Sequence, residues 1–378
     1  MNGLYLHIPF CRQKCAYCDF VSAPASPEEI QAYLAVLEQE IRLYGSILSP
    51  AEKKMTTLFV GGGTPTCLTI AQLSRLLEIC RQSFDLSSCQ ELSLDANPGT
   101  INAIQLRQLR QLGFNRLSLG VQSCQPELLQ ILGRIHTWET ARQALLAAAE
   151  AGFANLNADL ILGIPGQSLK QGLACLEKLL DLQVLTHLSL YALQLEPGTP
   201  LTRQIASGKL TAMDEDEAAD LDDMSEKLLQ QAGFERYEIS NYSRPGWECL
   251  HNLNYWRREP YLGLGLAAHS LWQEQRFANP TSFPAYQQMI REKRLAFYSG
   301  QSLSRMEAIS ETFWLGLRIS RGINLNQFTQ KFGQPAASFY GRQIAALTAQ
   351  GLLTQTEGYL KLTRRGRELG NQVFAEFV

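Results

Sequence analysis

The chain has no uninterrupted apolar run of the roughly 18 residues that a membrane-spanning helix needs, so no transmembrane segment is expected. It does not begin like a secreted protein either: "MNGLYLHIPFC" carries no basic leader and no long apolar stretch. Charge of neither sign is in excess. Lys and Arg total 34 against 36 Asp and Glu, a formal net charge of −2. That gives no bulk reason to expect nucleic acid or a polybasic membrane anchor. Internal repeats and low-complexity linkers are missing as well. Cysteine is present, but the count of 9 is odd, which fits a reducing, cytoplasmic compartment better than a disulfide framework. Six of the nine, Cys67, Cys80, Cys89, Cys124, Cys175 and Cys249, are scattered and read as small buried hydrophobes. The 378 residues are 45% hydrophobic and 19% charged, enough to bury one large core and a smaller second one.

What is present is a regular alternation. "GLYLHI" reads as a strand. "SPEEIQAYLAVLEQEIRLYG" reads as a helix with Ser26 as N-cap, Pro27 at the first helical position and Glu29 closing a capping box. Strands "TTLFV", "ELSLDA", "RLSLGV", "NLNADLILG" and "HLSLYALQL" follow, separated by helical patterns such as Ile70, Leu73, Leu76, Leu77 and Cys80. Six strands alternating with helices predict an α/β fold with a parallel sheet. The chemically distinctive residues sit just after strands, where a β/α barrel builds its site. A partial (β/α)6 barrel is therefore expected over residues 1–300, with a doubly wound sheet as the competing arrangement. Residues 301–378 read as helix, helix, hairpin, helix, a smaller winged-helix-like C-terminal domain. No helix there carries a dense basic stripe, so no nucleic acid is expected as its partner. The acidic run "MDEDEAADLDDMSEKLLQQAG" reads as a helix with a carboxylate-rich first turn and a buried stripe of Leu221, Met224, Leu228 and Ala232.

The segment "YLHIPFCRQKCAYCDF" breaks this regularity. Cys11, Cys15 and Cys18 are spaced C-x3-C-x2-C with no fourth cysteine beside them. A structural zinc site needs four protein ligands, for which His7 would have to serve as the fourth. A [4Fe–4S] cluster takes thiolates and, with three, keeps one iron open. The spacing, with Tyr17 before the last cysteine, resembles the signature of the radical S-adenosylmethionine superfamily. The resemblance implies that the methionine amine and carboxylate complete the open iron, and that one electron cleaves the sulfonium to a 5′-deoxyadenosyl radical. "GGGTPT", one β/α unit later, resembles the family's methionine-binding turn, with Gly62, Gly63 and Thr64 in it. The longer matches "YLHIPFC", "NRLSLGVQS", "LGRIH", "ADLILGIPGQ" and "LQLEPGTPL" resemble the oxygen-independent coproporphyrinogen III oxidase group. By that resemblance Tyr5, Asp95, Gln122, Arg134 and Asp159 also contact S-adenosylmethionine. The family usually carries Glu where this chain has Asp95.

Two subgroups share these motifs. In the oxidase the motif extends to C-x3-C-x2-C-x-C and a longer segment precedes it. Here Phe20 holds the extra cysteine's position, and four residues precede Tyr5. Both departures argue against decarboxylation of coproporphyrinogen III. The other subgroup, the HemW-type haem chaperones, carries H-N-x-x-Y-W, and this chain reads "HNLNYW". The resemblance implies haem binding at His251, Asn252, Tyr255 and Trp256, with imidazole as an iron ligand and the aromatic rings as flat apolar area. Cys249, His7 and His269 are further candidate ligands. It also implies delivery of haem to an acceptor such as a membrane-bound respiratory haem protein, and a reductant such as flavodoxin or ferredoxin. A homodimer is left open. The readings to be separated are a haem chaperone, a coproporphyrinogen III dehydrogenase, and a zinc-stabilised barrel without redox chemistry.

Overall fold

The computed structural model describes residues 2–378. The six alternating stretches form strands β1 (Gly3–Ile8), β2 (Thr57–Gly62), β3 (Glu91–Ala96), β4 (Arg116–Gln122), β5 (Asn155–Leu162) and β6 (His187–Ala192). Each pairs in parallel with the next. A doubly wound sheet reverses its direction of growth part-way. Here the order runs from β1 to β6 without reversal, which is the winding of a barrel.

The sheet is larger than six strands. The segment after β6 adds β7 (Glu235–Arg236), β8 (Asn241–Ser243), β9 (Tyr261–Leu264), β10 (His269–Trp272), β11 (Gln275–Ala278) and β12 (Gln301–Ser302). β9 lies parallel beside β1, β10 to β12 continue antiparallel from it, and β8 and β7 extend the far edge beyond β6. The result is one open 12-stranded sheet.

Strand alternation gives the parallel strands two unlike faces. Leu4, Leu6, Leu58, Val60, Leu94, Leu117, Leu119, Leu156, Leu188 and Leu190 are buried in a single core under the crossover helices. Those helices are α1 (Pro27–Ile47), α2 (Ile70–Ser83), α3 (Ala103–Leu112), the short α4 (Pro126–Ile131), α5 (Trp138–Glu150) and α6 (Leu169–Leu180). The capping box of Ser26 and Glu29 is formed, and Gly113 ends α3 at φ 104°. The opposite, inner face carries Tyr5, Phe59, Ser93, Asp95, Arg116, Ser118, Asn157, Asp159 and Ser189. Parallel strands covered on both sides are ordinarily aliphatic on both. Polar residues at every second position mark the inner face as a site lining rather than a second core.

The rest of the chain forms α7 (Pro200–Ala206), α8 (Glu215–Gln231), α9 (Leu250–Trp256), α10 (Phe283–Arg291), α11 (Arg305–Gly316), α12 (Leu325–Phe332), α13 (Ala337–Ala349), α14 (Arg364–Glu368) and α15 (Gly370–Ala375). Strands β13 (Ile323–Asn324), β14 (Leu353–Thr356) and β15 (Tyr359–Leu362) make a separate three-stranded sheet. Residues between Ala308 and Phe377 share their own apolar cluster. The sequence reading missed β13 and α12. α12 is short and mostly polar, with Phe328 and Phe332, one turn apart, as its buried residues. Their presence completes a winged-helix order of helix, strand, helix, helix, hairpin.

Two expectations are corrected. In α8 the buried residues are Leu221, Ser225 and Leu229, while Met224 is exposed. The helix is turned by about one residue because its acids are engaged. Asp222 and Glu226 pair with Arg236, Asp223 with Arg364 and Glu226 also with Arg367. Part of the basic charge of the C-terminal domain is thereby spent on the barrel. Cys124 and Cys175 are not separate small hydrophobes. They are joined as a buried disulfide across 51 residues, with Cα atoms 5.3 Å apart, where α6 packs over the end of β4. Among the described residues no helix is long and apolar enough to cross a membrane.

Candidate functional site

The loop from β1 to α1 carries the three cysteines and is tied down on both flanks. The Cys11 N–H donates to Ala23 O (3.1 Å), and the Ala16 N–H donates to Leu132 O (2.9 Å). The glycine turn after β2 is pressed against the loop's start. The Gly63 N–H donates to Ile8 O (2.8 Å) and the Thr64 N–H to Phe10 O (2.6 Å). A Cβ on Gly63 would lie 2.5 Å from Phe10 O, and Gly62 sits at φ +115°. Only glycine allows that approach.

Cys11, Cys15, Cys18, Gly62, Gly63, Thr64, Asp95, Gln122, Arg134 and Asp159 together line one cavity of about 150 Å³ at the carboxyl ends of the strands. Ten of the eleven residues that the sequence put at the cluster and cofactor thus share one enclosure. Tyr5 is the exception. It lies deeper on the inner face, with its hydroxyl 3.0 Å from His7 Nδ1, and lines a different cavity.

The cysteine cavity is electrostatically divided. The thiols of Cys11 and Cys18 are pushed upward, by burial first and by the neighbouring sulfurs next. Bound iron would remove that penalty by taking the thiolates. Asp95 and Asp159 face the same space. Burial, then repulsion from Asp159, raises Asp95 to about 7, and burial raises Asp159. Asp159 accepts from Ser118 Oγ (3.0 Å) and Asn157 Nδ2 (2.8 Å). A ligand cation here would draw both carboxylates to their charged form. Arg134 donates to Asn97 Oδ1 and Gly120 O, both 2.5 Å, and reaches Cys15 Sγ at 3.5 Å. Gln122 sits at φ 65° beside a register shift in β4, and such a bulge re-aims a side chain.

The donor set fits a cluster with an amino-acid ligand. Three unbridged cysteines, a glycine cradle, a guanidinium and two carboxylates line one space. Among the described residues no three His, Cys, Asp or Glu side chains gather closely enough for a single metal ion. A cluster differs, because each thiolate binds its own iron. His7 cannot be read as a fourth zinc ligand in this arrangement, since its Nε2 meets Val21 O at 3.0 Å and its Nδ1 meets Tyr5.

A second cavity of about 500 Å³ opens beside the first and shares Tyr17, Cys18, Phe20, Asp95, Gln122 and Asp159 with it. Arg116, Ser118, Asn157, Ser189 and Asn252 add to its polar wall. Asn97 and Arg116 were missed by the sequence reading. The alternation in "ELSLDAN" and "RLSLGVQ" was the available signal, since it exposes a polar face in a sheet otherwise read as buried.

The "HNLNYW" motif lies on helix α9. Helical geometry sends 251 and 255 to one side and turns 252 away by about 100°. Tyr255 and Trp256 line a third cavity, of about 540 Å³, with Tyr5, His7, Phe20, Tyr261, His269, Arg276 and Trp314. Asn252 belongs to the second cavity instead. His251 is buried behind Tyr255, at 1% exposure. Its Nδ1 meets Thr57 Oγ1 at 2.7 Å and its Nε2 meets Tyr255 Oη at 2.8 Å. Burial, with Arg116 adding to it, lowers its pKa to about 3, so the ring is neutral. Cys249 is sealed in as well. Its sulfur lies 3.4 Å from Glu91 Oε1, and the same carboxylate caps α9 through Leu250 N–H and His251 N–H.

Residues 5–179 match the model of the Radical SAM superfamily, and residues 303–369 match the HemN C-terminal domain. The chain is 34% identical over 382 residues to the haem chaperone HemW of Bacillus subtilis, covering 100% of this chain and 99% of that one. It is 32% identical to the haem chaperone HemW of Escherichia coli, covering 100% and 98%. Among solved structures, coproporphyrinogen III oxidase (HemN) from Escherichia coli, described as a radical SAM enzyme, superposes with a TM-score of 0.87 at 26% identity. That match covers 100% of this chain and 89% of that one. On its sequence, its barrel and its C-terminal domain, the chain belongs to the radical SAM superfamily and, within the HemN-like group, to the HemW family.

Proposed function

We propose that this protein is a haem chaperone, which takes haem into the aromatic cavity beside α9 and releases it to an acceptor protein. One observation carries the reading. The Tyr255–Trp256 pair of the motif, with Tyr5, Tyr261 and Trp314, walls a cavity of about 540 Å³, and such a space suits a flat apolar ligand. The relatives' name supports the same conclusion.

Cys11, Cys15 and Cys18 would hold a [4Fe–4S] cluster. Gly62, Gly63, Thr64, Asp95, Gln122, Arg134 and Asp159 would hold S-adenosylmethionine against it. When bound, the two supply one-electron reductive chemistry at the sulfonium. The chain's part is positional. The glycine turn admits a ligand backbone, Arg134 supplies donors for a carboxylate, and the two aspartates accept from an ammonium or hydroxyls. Tyr17 and Phe20 cover the space from solvent. His251, bonded to Thr57, keeps α9 fixed on β2 between the polar and aromatic cavities.

Haem titration of wild type and Trp256→Ala, followed by transfer to an apo-haem protein, tests the proposal. Removing one aromatic wall is expected to weaken binding about tenfold. Unchanged affinity would take this cavity off the haem route.

A second reading is favoured by the polar cavity of about 500 Å³ beside the cysteines and by the likeness to HemN: coproporphyrinogen III dehydrogenation. Phe20, in place of the oxidase's extra cysteine, weighs against it. Anaerobic incubation with coproporphyrinogen III, a reductant and S-adenosylmethionine decides. Protoporphyrinogen formed over many turnovers would replace the chaperone reading.

A further inference from the structure

Resting on the haem reading above, the geometry points to His269, on β10, as the side chain that ligates the haem iron. Three imidazoles border or back the aromatic cavity. An iron ligand must offer a ring nitrogen whose lone pair is free and whose path to the ligand is open. His7 offers neither nitrogen, because Nδ1 meets Tyr5 Oη and Nε2 meets Val21 O, both at 3.0 Å. His251 offers neither, because Thr57 and Tyr255 hold its two nitrogens at 2.7 and 2.8 Å. It also stands behind the Tyr255 ring, whose centroid is 4.9 Å away. Moving it to an iron would require breaking both bonds and withdrawing Tyr255.

His269 differs on every count. It is exposed, it lines the cavity itself, and among the described residues no hydrogen bond engages its ring. Its backbone is not mobile ornament. β10 pairs with β11 through His269 opposite Ala278, and the preceding turn is clasped by Glu40, which accepts from Gly265 N–H and Asn279 Nδ2, both at 2.7 Å. The imidazole therefore stands on a rigid strand at the edge of a ring-lined space. Tyr255, Trp256, Tyr261 and Trp314 offer flat area for the macrocycle in that space. The bond formed is dative. A neutral ring nitrogen gives its lone pair to the iron, the other nitrogen keeps its proton, and nothing is oxidised or reduced.

The test titrates ferric haem and metal-free protoporphyrin IX, separately, into wild type, His269→Ala and Trp256→Ala. His269→Ala is expected to lose the imidazole-ligated absorption and electron-spin spectrum with haem while binding metal-free porphyrin as wild type does. Free imidazole should restore the spectrum, a rescue that a merely structural role would not show. Because His269 is exposed, circular dichroism should be unchanged. A wild-type haem spectrum in His269→Ala overturns the assignment. If that variant keeps its spectrum while Trp256→Ala loses metal-free porphyrin, His269 alone falls. If wild type binds no porphyrin, the haem reading falls and this assignment with it.

Discussion

The cavity at the cysteines and the cavity at α9 lie on the same inner face of the sheet and are built by opposite means. The first is about 150 Å³, made of glycine backbone, thiols and charges. Its parts sit on β2 to β5 and in the turns just after β1, β2 and β3, apart from Arg134, which follows α4, so nearly every one is placed by its own strand. The second is about 540 Å³ and walled by rings. Its parts come from β1 and the loop after it, α9, β9, β10, β11 and α11, which are distant in sequence and meet only when the late segments dock. The first can therefore be specified by short local motifs. The second depends on tertiary contacts, and above all on Arg258. That residue is fully buried and joins the end of α9 to Glu274 (2.6 Å) and, on α11, to Glu311 (2.7 Å).

The largest expected effect separates the two cavities outright. Cys15→Ala should bring acid-labile sulfide and cluster absorbance in anaerobically prepared protein to background, while metal-free porphyrin still binds beside α9. Joint loss of both would show that the cavities are not independent. Arg258→Ala should act in the reverse sense. It breaks a buried pair, although Arg276 still holds Glu311 at 2.9 Å. The cost should be about 3 kcal/mol of stability, read from chemical denaturation, with porphyrin affinity falling and sulfide content unchanged in the folded fraction. The smallest effect concerns pH. Burial raises Glu40 from 4.5 to about 7 although three donors face it. A folded state that holds its proton more tightly than the unfolded chain loses stability as pH rises between those values. Melting temperatures across pH 5–8 should therefore fall less steeply in Glu40→Gln than in wild type. An identical slope would remove Glu40 as its source.

The contrast also explains what could be read without coordinates. The cysteine cavity was legible almost residue by residue, because C-x3-C-x2-C, "GGGTPT" and the strand-end residues each carry their own local signal. Asn97 escaped because its role, holding Arg134, exists only across the gap between β3 and β4. Tyr5 stands apart from the other ten because spacing along a strand does not say how deep on the inner face a ring lies. The aromatic cavity was legible as a motif and not as a shape. "HNLNYW" names the residues, but only the helix shows that Asn252 and Tyr255 belong to different spaces and that His251 is enclosed. The stripe of α8 was misjudged for a related reason. Periodicity found a helix, but its rotation is set by Arg236, Arg364 and Arg367, which the sequence lists elsewhere.

Phe20 is 62% exposed and borders all three cavities described above. The aromatic cavity shares no other wall residue with either of its neighbours. A single phenyl ring is thus the side chain that the charged and the ring-walled spaces have in common. A change of side chain at that one position therefore reshapes the thiol-lined, the polar and the ring-walled space together.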